Sequence, residues 1–162
     1  MTLAIRTAQP GEASLVLSFV RELADYEKLS HEVAATENDI EAALFCAQPT
    51  AFCDIAEWAG EPVGFALWFL NFSSFRGRNG IYLEDIFVRP AHRGKGIGKA
   101  LLAHLARRCV EDGYGRLEWA VLDWNAPSIA FYKAQGAKLM DEWTVCRIED
   151  DALRRLAGEA SR

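Results

Sequence analysis

The sequence predicts an α/β fold, in which helices flank a mixed, mostly antiparallel twisted sheet. Strand-like and helical segments alternate unevenly along the chain, whereas a doubly wound parallel sheet requires a regular alternation. Two strand-like runs are separated only by residues 59–62, Ala-Gly-Glu-Pro, which is typical of an antiparallel hairpin. The chain has 162 residues, 51% of them hydrophobic, which is enough for one core, and we expect a single domain over residues 1–162.

The first third of the chain predicts one strand and two helices. Leu3–Thr7 is a short strand pattern, and residues 9–12 open a helix with a proline and an acid in its first turn. The predicted buried stripe of this helix consists of Leu15, Val16, Phe19, Val20 and Leu23. A second helix begins with a capping box at residues 36–39, Thr-Glu-Asn-Asp, and extends to about Phe45.

The central part of the chain predicts three strands and one long helix. Residues 51–58 and 63–72 form the hairpin strands, residues 73–80 a polar loop, and residues 81–88 a central strand. A helix then runs from Gly96 to about Asp112 and ends at Gly113. Its inward face is predicted to consist of Ile97, Leu101, Leu102, Leu105 and Val110.

The last third predicts two strands and two short helices. Residues 117–122 and 138–148 have strand-like patterns. A short helix that holds Phe131 and Tyr132 begins at residues 125–128 and is closed by Gly136. A last helix spans residues 150–157.

Composition and charge exclude several classes of function. A net charge of −5 and a pI of about 5.2 argue against a nucleic-acid-binding protein, which needs a basic face. No stretch reaches about 18 uninterrupted apolar residues, and residues 1–9 lack the pattern of a signal peptide, so we expect a soluble, cytoplasmic protein without a membrane partner. The histidines lack Cys, Asp or Glu at ligand spacing, so no metal site is predicted. The four cysteines lack C-x-x-C spacing and are expected to be buried free thiols.

A basic, glycine-rich turn between the central strand and the long helix is the strongest indication of function. Its glycines, Gly94, Gly96 and Gly98, allow the backbone to approach a ligand closely. The first turn of the following helix directs amide N–H groups at a bound anion, and nearby basic side chains add positive charge. The turn therefore predicts a phosphate site.

The glycine spacing excludes two familiar phosphate loops. A Walker A loop needs five steps between its glycines and a Ser or Thr after the lysine, but Gly94 and Gly98 are four apart and Ala100 follows Lys99. A dinucleotide fingerprint starting at Gly94 would need glycine at residue 99. What remains is Arg-Gly-x-Gly-x-Gly after the strand.

This turn, together with the preceding Glu-Asp-Ile-Phe-Val at residues 84–88, resembles the pyrophosphate loop of the acetyl-CoA-dependent GNAT N-acetyltransferases. Residues 125–136 also match the second hallmark of that family, N-x-x-[AS]-x-x-[FL]-Y-x-x-x-G. Residues 82–85, 122–125 and 156–158 are similar to the diamine acetyltransferase branch, which contains the spermidine/spermine enzymes and their thialysine-acetylating relatives. The resemblance covers nearly the whole chain and implies the GNAT fold.

The resemblance also implies a role for each part of the site. The pantetheine arm of acetyl-CoA would bind the backbone of Ile86, Phe87 and Val88. The pyrophosphate would be held by the loop residues Arg93, Gly94, Lys95, Gly96, Ile97, Gly98 and Lys99. Further cofactor contacts would come from Asn125, Ala126, Pro127 and Ser128. The amine side would be lined by Tyr26, Glu27, Glu84, Glu118, Trp119 and Ala120. Tyr132 would be the catalytic acid, and the family implies a homodimer.

The reaction itself asks for a carboxylate near the acceptor amine. A lysine-like ammonium has a pKa of about 10.4, so at pH 7.4 only about one molecule in a thousand is free amine. Glu84 is our candidate for the group that binds the ammonium and accepts its proton, directly or through water. Asp85 is expected on the substrate side, where it would orient Glu84 or tune its charge. Because side chains alternate along a strand, we expect only one of the two to face the site.

We expect direct transfer of the acetyl group to the amine, and several amines are candidates for the acceptor. Cys109 and Cys146 have no evident base partner, so we expect no acyl-enzyme. Arg76 and Arg78 occupy the loop in which the polyamine enzymes carry acidic and aromatic residues, and they would repel a second or third ammonium. This favours a small diamine or a thialysine-like amino acid. The alternatives are a polyamine, a protein or peptide amine, or a non-catalytic acyl-CoA-binding module, and the intact Glu84, Asn125 and Tyr132 argue against the last.

Overall fold

The computed structural model describes residues 2–159, and its sheet has five strands that lie side by side in chain order. They are β1 (Leu3–Thr7), β2 (Phe52–Trp58), β3 (Glu61–Ser73), β4 (Arg78–Val88) and β5 (Leu117–Glu118). Strands β1 to β4 pair antiparallel, and β5 pairs parallel with β4. The predicted mixed, mostly antiparallel α/β architecture is therefore confirmed.

The chain divides into two compact units, one up to Asn125 and one from Ala126 onward. The first contains the sheet and the helices α1 (Ala13–Tyr26), α2 (Glu37–Leu44) and α3 (Ile97–Asp112). The second contains α4 (Ala126–Ala134) and α5 (Asp150–Leu156). No helix within residues 2–159 is both long and apolar enough to cross a membrane. The single-domain organisation stays a prediction.

Carboxylates determine where the first two helices begin. The Glu12 carboxylate accepts a hydrogen bond from the Gln9 N–H (2.7 Å) and pairs with Arg6 (2.7 Å), so residues 9–12 form a turn and α1 begins only at Ala13. The predicted start of this helix at residues 9–12 is therefore too early. α2 has the predicted capping box, since the Asp39 N–H donates to the Thr36 hydroxyl (3.2 Å) and the Thr36 N–H donates to the Asp39 carboxylate (2.8 Å).

α1 packs against one face of the sheet, here called the α1 face. Val16 and Phe19 of the predicted stripe are fully buried, and the Phe19 ring stacks on Phe65 of β3 with ring centroids 5.2 Å apart. Leu67, two residues along β3, packs against the same cluster. The other stripe residues, Leu15, Val20 and Leu23, are partly buried around it. The odd-numbered residues of β3 therefore lie on the α1 face.

A β-bulge at Glu84 interrupts the pairing of β3 with β4. Trp68 lies opposite Leu83 and Leu67 lies opposite Asp85, which leaves Glu84 without a partner on β3. Adjacent residues of β3 point to opposite faces, and cross-strand partners share a face, so Asp85 lies on the α1 face with Leu67 while Leu83 lies on the other. Glu84 is the extra residue of the bulge, and its charge acts on both Tyr82 and Asp85. The expectation that only one of the two carboxylates faces the site stays a prediction.

The hairpin between β3 and β4 is longer than predicted. β3 extends to Ser73 and β4 starts at Arg78, so the predicted polar loop at residues 73–80 shortens to a turn at residues 74–77. The added pairs include Asn71 with Gly80 and Ser73 with Arg78. Arg76 and Arg78 both approach Gly115, which lies just before β5.

α3 confirms its predicted limits and most of its inward face. Ile97, Leu101, Leu102 and Leu105 are buried, and the helix ends at Gly113 with a φ of 72°. Val110 is 81% exposed, so its predicted inward position is wrong. Cys109 is buried instead, because it follows Leu105 by about one helical turn. Of the four cysteines, Cys46 and Cys146 are exposed, which contradicts the expectation that all are buried.

Two predicted strands differ in the structure. β5 ends at Glu118 instead of residue 122, because β4 is bulged at Glu84 and β5 pairs only with Ile81 and Tyr82. Residues 138–148 form no strand, since no strand among the described residues pairs with them. Their apolar side chains are exposed, with Met140, Trp143 and Val145 at 61%, 75% and 81%.

Candidate active site

β4 presents an open edge along its second half. Its pairing with β5 consists of Ile81 with Leu117 and Tyr82 with Glu118, so within residues 2–159 the β5 side of β4 is unpaired from residue 83 onward. The residues predicted to bind the pantetheine arm all lie in this stretch and pair with β3 on their other side: Ile86, Phe87 and Val88. Backbone groups along an open strand edge can hydrogen-bond an extended ligand. The edge is therefore suited to an acyl-pantetheine chain.

Three carboxylates lie close together at the bulge. Glu84 is exposed and Asp85 is half-buried. Burial, together with the charges of Glu84 and Glu27, raises the pKa of Asp85 to about 7. Burial also raises the pKa of Glu27, at the end of α1. A carboxylate with a pKa near neutrality can bind a cation and exchange a proton with it, so this cluster is suited to an ammonium substrate.

The α1 face continues from the carboxylates toward β5. Tyr82 stacks on Phe69 with ring centroids 5.2 Å apart, and burial raises its pKa, with further contributions from the charges of Glu84 and Glu118. Glu118, the partner of Tyr82 on β5, forms an ion pair with Arg116 Nε (2.8 Å) and accepts a hydrogen bond from Asn71 Nδ2 (3.1 Å). The charge of Glu84 therefore acts on both Asp85 and Tyr82, while Glu27 acts on Asp85 and Glu118 acts on Tyr82.

The glycine loop leaves open space beside the start of α3. Gly94 and Gly96 have φ angles of 75° and 78°, in the left-handed region that favours glycine, and a Cβ at either position would meet nothing within 4 Å. Gly96 is the N-cap residue of α3 and provides no side-chain cap, while Ile97, Gly98 and Lys99 form the first turn. The N–H groups of a first helical turn have no acceptor within the helix. Bare backbone, open space and a helix N-terminus together fit a diphosphate.

The Arg93 side chain lies against β4 and α1. Its Nε donates to the Val88 carbonyl oxygen (2.9 Å), and its guanidinium lies 4.8 Å from the ring centroid of Tyr26 and 5.3 Å from that of Phe87. The predicted phosphate loop, pantetheine strand and amine side therefore meet at Arg93. Lys95, also in the loop, lies over the Trp58 ring at 5.2 Å.

The end of α1 also contacts the segment that follows β5. The Tyr26 hydroxyl donates to Asn125 Oδ1 (3.2 Å), and Asn125 is buried. Trp124 lies 6.2 Å from the Tyr26 ring, and the Lys28 ammonium lies 5.0 Å from the Trp124 ring centroid. Earlier in the segment, Trp119 is half-buried and Ala120 is exposed.

The remaining predicted residues lie in the second unit. α4 begins with Ala126, Pro127 and Ser128 and carries Tyr132, a half-buried side chain whose ring is 5.5 Å from that of Phe131. Gly136, with a φ of 94°, follows the helix. The catalytic role of Tyr132 stays a prediction.

Sequence reasoning missed Asn71, Arg116 and Lys28. Asn71 lies 47 residues from its partner Glu118 and meets it only through the sheet. Arg116 stands two residues before Glu118, and this spacing on a strand pattern predicts a shared face, so a signal was available. Lys28 follows the end of α1 and reaches Trp124 from the left-handed region, with a φ of 62°.

Cysteine and metal groups contribute little to this region. Burial raises the pKa of the Cys53 and Cys109 thiols, which disfavours the reactive thiolate form. Among residues 2–159, no group of three or more His, Cys, Asp or Glu side chains could hold a metal ion.

A family model described as "Acetyltransferase (GNAT) family" matches residues 18–137 of the chain. The thialysine N-epsilon-acetyltransferase of Bos taurus is 41% identical over 166 residues, which cover 96% of this chain and 97% of that protein. The L-ornithine N5-acetyltransferase of Arabidopsis thaliana is 31% identical, covering 94% of this chain and 86% of that protein. Both similarities extend over nearly the whole chain.

A solved structure with a similar fold is an integron cassette protein from the mobile metagenome of V. cholerae. The two superimpose with a TM-score of 0.79 at 30% sequence identity, covering 97% of this chain and 98% of the other. The match therefore extends over nearly the whole of both chains.

Proposed function

The chain belongs to the GNAT acetyltransferase family and is an acyltransferase, and we propose that it transfers the acetyl group of acetyl-CoA to a primary amine of a small diamine or a thialysine-like amino acid. The amine would attack the thioester directly, in a ternary complex. The observation that carries this proposal is the pair of adjacent carboxylates, Glu84 and Asp85, at the bulge of β4 beside its open edge. An ammonium bound by this pair lies beside an edge suited to the acyl donor.

The groups that would hold acetyl-CoA follow β4 into α3. The edge residues Ile86, Phe87 and Val88 would bind the pantetheine arm through their backbone. The loop from Arg93 to Lys99 would hold the pyrophosphate, which its open glycines and helix N-terminus support. Asn125, Ala126, Pro127 and Ser128 would make further contacts. Acetyl-CoA supplies the activated acetyl group, and the chain positions it.

Deprotonation of the amine is the first task of the protein. A pKa of about 10.4 places the free amine about 4 kcal/mol above the ammonium at pH 7.4. Glu84 is our predicted proton acceptor. Asp85 competes for this role. A carboxylate with a pKa of about 7 is largely ionised at pH 7.4, and it is a stronger base than a carboxylate with an ordinary pKa. Tyr26 and Glu27 would complete the amine side.

Charge then develops on the thioester oxygen and on the departing sulfur. A backbone N–H near Val88, on the open edge, would stabilise the oxygen. The Tyr132 hydroxyl would protonate the thiolate as it leaves. The raised pKa of the buried Cys53 and Cys109 thiols supports direct transfer without a cysteine nucleophile.

The relatives favour an amino-acid acceptor over a polyamine. Thialysine and L-ornithine, named in two of the relatives, each carry a side-chain amine beside an α-amino acid group. Arg78 is six residues from Glu84 along β4, or about 20 Å. At that distance it can repel the far end of a long polyamine but cannot reach the carboxylate of a lysine-sized acceptor bound at Glu84.

A homodimer in the cytoplasm is part of the proposal. Exposed apolar side chains in the second unit, including Trp143 and Val145, support burial against a second copy. Four free cysteines suit a reducing compartment, and confinement of a fluorescent fusion outside the cytoplasm would contradict this location.

The first test measures release of the CoA thiol from acetyl-CoA with thialysine, lysine, putrescine and spermidine as acceptors. We expect amine-dependent release, fastest with thialysine. Tyr132→Phe should lower it by about 100-fold or more, because a general acid contributes on the order of 10²–10⁴. Tyr114→Phe, a matched change of a tyrosine outside the proposed site, should leave the rate unchanged.

Equal turnover of spermine without activity on thialysine would overturn the amino-acid preference and favour the polyamine alternative. Transfer only to peptide amines would favour a protein or peptide acetyltransferase. Binding of acetyl-CoA with no amine-dependent thiol release from any acceptor would favour a non-catalytic acyl-CoA-binding module and refute the enzyme proposal.

A further inference from the structure

Arg116 and Glu118 form an ion pair beside the proposed amine site, and their contacts involve only part of each side chain. Arg116 Nε lies 2.8 Å from Glu118 Oε1 in this ion pair, and Asn71 Nδ2 donates a hydrogen bond to the same carboxylate oxygen at 3.1 Å. Neither contact uses Glu118 Oε2. The Arg116 contact uses Nε, and the Nη edge of the guanidinium carries four further N–H donors.

The chemistry of this pair is complementary to an α-amino acid group. The Nη edge of a guanidinium binds carboxylates with two parallel hydrogen bonds. The second oxygen of Glu118 is an acceptor for an ammonium. Asn71 holds the Glu118 carboxylate from the side of β3, so the pair is oriented before a ligand arrives.

The spacing from this pair to the carboxylates at the bulge suits a lysine-sized acceptor. Glu118 lies opposite Tyr82 in the parallel ladder, and Glu84 is two residues further along β4. One step across the sheet and two along the strand separate the Cα atoms of Glu118 and Glu84 by about 8 Å. The ω-nitrogen and α-carbon of an extended lysine side chain are about 6 Å apart from standard bond lengths. One acceptor can therefore contact both ends.

The surface between the two ends is apolar. Tyr82 lies opposite Glu118 and two residues from Glu84 on the α1 face, and it stacks at 5.2 Å on Phe69, which lies on its β3 side. Aromatic faces of this kind bury methylene or thioether groups.

We propose that Arg116 binds the α-carboxylate and Glu118 the α-ammonium of the acceptor, so that the substrate is an α-amino acid with an amine at the end of its side chain. This inference rests on the proposed function. A plain diamine or polyamine would place a second ammonium against a Glu118 whose charge is already balanced by Arg116, and it would leave the Arg116 donors without a carboxylate.

The test compares three acceptors that differ only at the far end. Lysine carries both α groups, 6-aminohexanoate carries only the carboxylate, and pentylamine carries neither. In the unmodified protein we expect kcat/KM to fall in that order. Arg116→Gln should lower kcat/KM about 10- to 100-fold for lysine and 6-aminohexanoate, because this factor corresponds to the loss of a hydrogen bond to a charged group. The kcat/KM for pentylamine should change by less than about threefold.

Glu118→Gln should lower kcat/KM for lysine but not for 6-aminohexanoate. Arg107→Gln removes an exposed positive charge from α3 and should leave all three acceptors unchanged. If Arg116→Gln or Glu118→Gln lowers kcat/KM equally for all three acceptors, the ion pair only stabilises the fold and the inference is wrong. Equal turnover of lysine and pentylamine by the unmodified protein also overturns it while the acetyltransferase proposal stands. If no amine is acetylated, thialysine included, the result refutes the proposed function instead.

Discussion

Asp85 is the residue whose behaviour depends most on its surroundings. It lies on the α1 face, next to Glu84 and near Glu27, and it is half-buried. Burial and the two neighbouring charges raise its pKa to about 7, far above the 3.9 of a solvated aspartate. The group therefore gains and loses its proton in the pH range in which cytoplasmic enzymes work.

Asp85→Asn tests whether this titration controls the reaction. The carboxylate is the active form, so kcat/KM of the unmodified protein should rise with pH through an inflection near 7. In Asp85→Asn the inflection should disappear and the rate should fall by about 100-fold or more, because a general base contributes on the order of 10²–10⁴. A pH–rate profile with a small amino-acid acceptor measures both.

Glu84→Gln is the matched variant for this experiment. It should lower the rate but keep the inflection, shifted to lower pH, because one of the charges that raises the pKa of Asp85 is removed. If instead the inflection persists in Asp85→Asn and vanishes in Glu84→Gln, then Glu84 is the proton acceptor and Asp85 is not.

The bulge in β4 is the element that organises the site. The extra residue, Glu84, stands beside Asp85 without a partner on β3, and the pairing with β5 ends before this point. On the opposite face, Trp68 beside the bulge donates its indole N–H to the buried Asp54 (2.8 Å). This bond anchors the strand that faces the bulge, at the wall of a cavity of about 260 Å³.

Deletion of Glu84 tests the role of the bulge without changing the rest of the sheet. Trp68 and Leu67 are adjacent, so without Glu84 their partners Leu83 and Asp85 become adjacent too, and every other pair keeps its register. We expect a folded protein with an unchanged far-UV circular dichroism spectrum. Its rate of acetyl transfer should fall below that of Glu84→Gln, because the edge geometry is lost as well as the carboxylate.

Deletion of Ile55 of β2 is the control, since this residue lies in regular pairing with both β1 and β3. Its loss shifts the register of β2 by one residue on one side of the deletion and turns core side chains such as Cys53 to the other face, so we expect an unfolded protein. A Glu84 deletion that unfolds the protein equally, or one that keeps full activity, would contradict the role assigned to the bulge.

At the scale of the whole molecule, the segment after α4 stands out because its apolar side chains are not buried by the described part of the chain. Residues 138–148 have the composition of a strand but no partner strand among residues 2–159. Large apolar side chains of the second unit are exposed there and in α5, where Leu156 is 75% exposed. Exposed apolar surface of this extent is typical of an interface.

Light scattering of the purified protein should give twice the chain mass of 18.1 kDa. The double substitution of Trp143→Glu and Val145→Glu should yield monomers, because it places charge on the surface that we propose is buried. Val110→Glu changes an equally exposed apolar residue on α3 and should leave the dimer intact. A mass of one chain for the unmodified protein, or dissociation by Val110→Glu, would contradict the proposed interface.

Sequence patterns predicted most of the secondary structure because local chemistry determined it. The capping box at Thr36, the end of α3 at Gly113 and the buried stripe around Phe19 depend on spacing within one segment. The errors occurred where partners are distant. Val110, the short β5 and the unpaired residues 138–148 depend on what lies opposite them, which periodicity does not encode.

The sequence by itself determined the family, the phosphate loop and the identity of the carboxylates, because these depend on residue types at short fixed spacings. Tertiary structure alone decided that Glu84 has no partner on β3, since a bulge is defined only by the register of two paired strands. It also decided that Asn71 and Arg116 hold Glu118, and that burial beside Glu27 raises the pKa of Asp85. Those properties come from contacts between segments far apart in the chain.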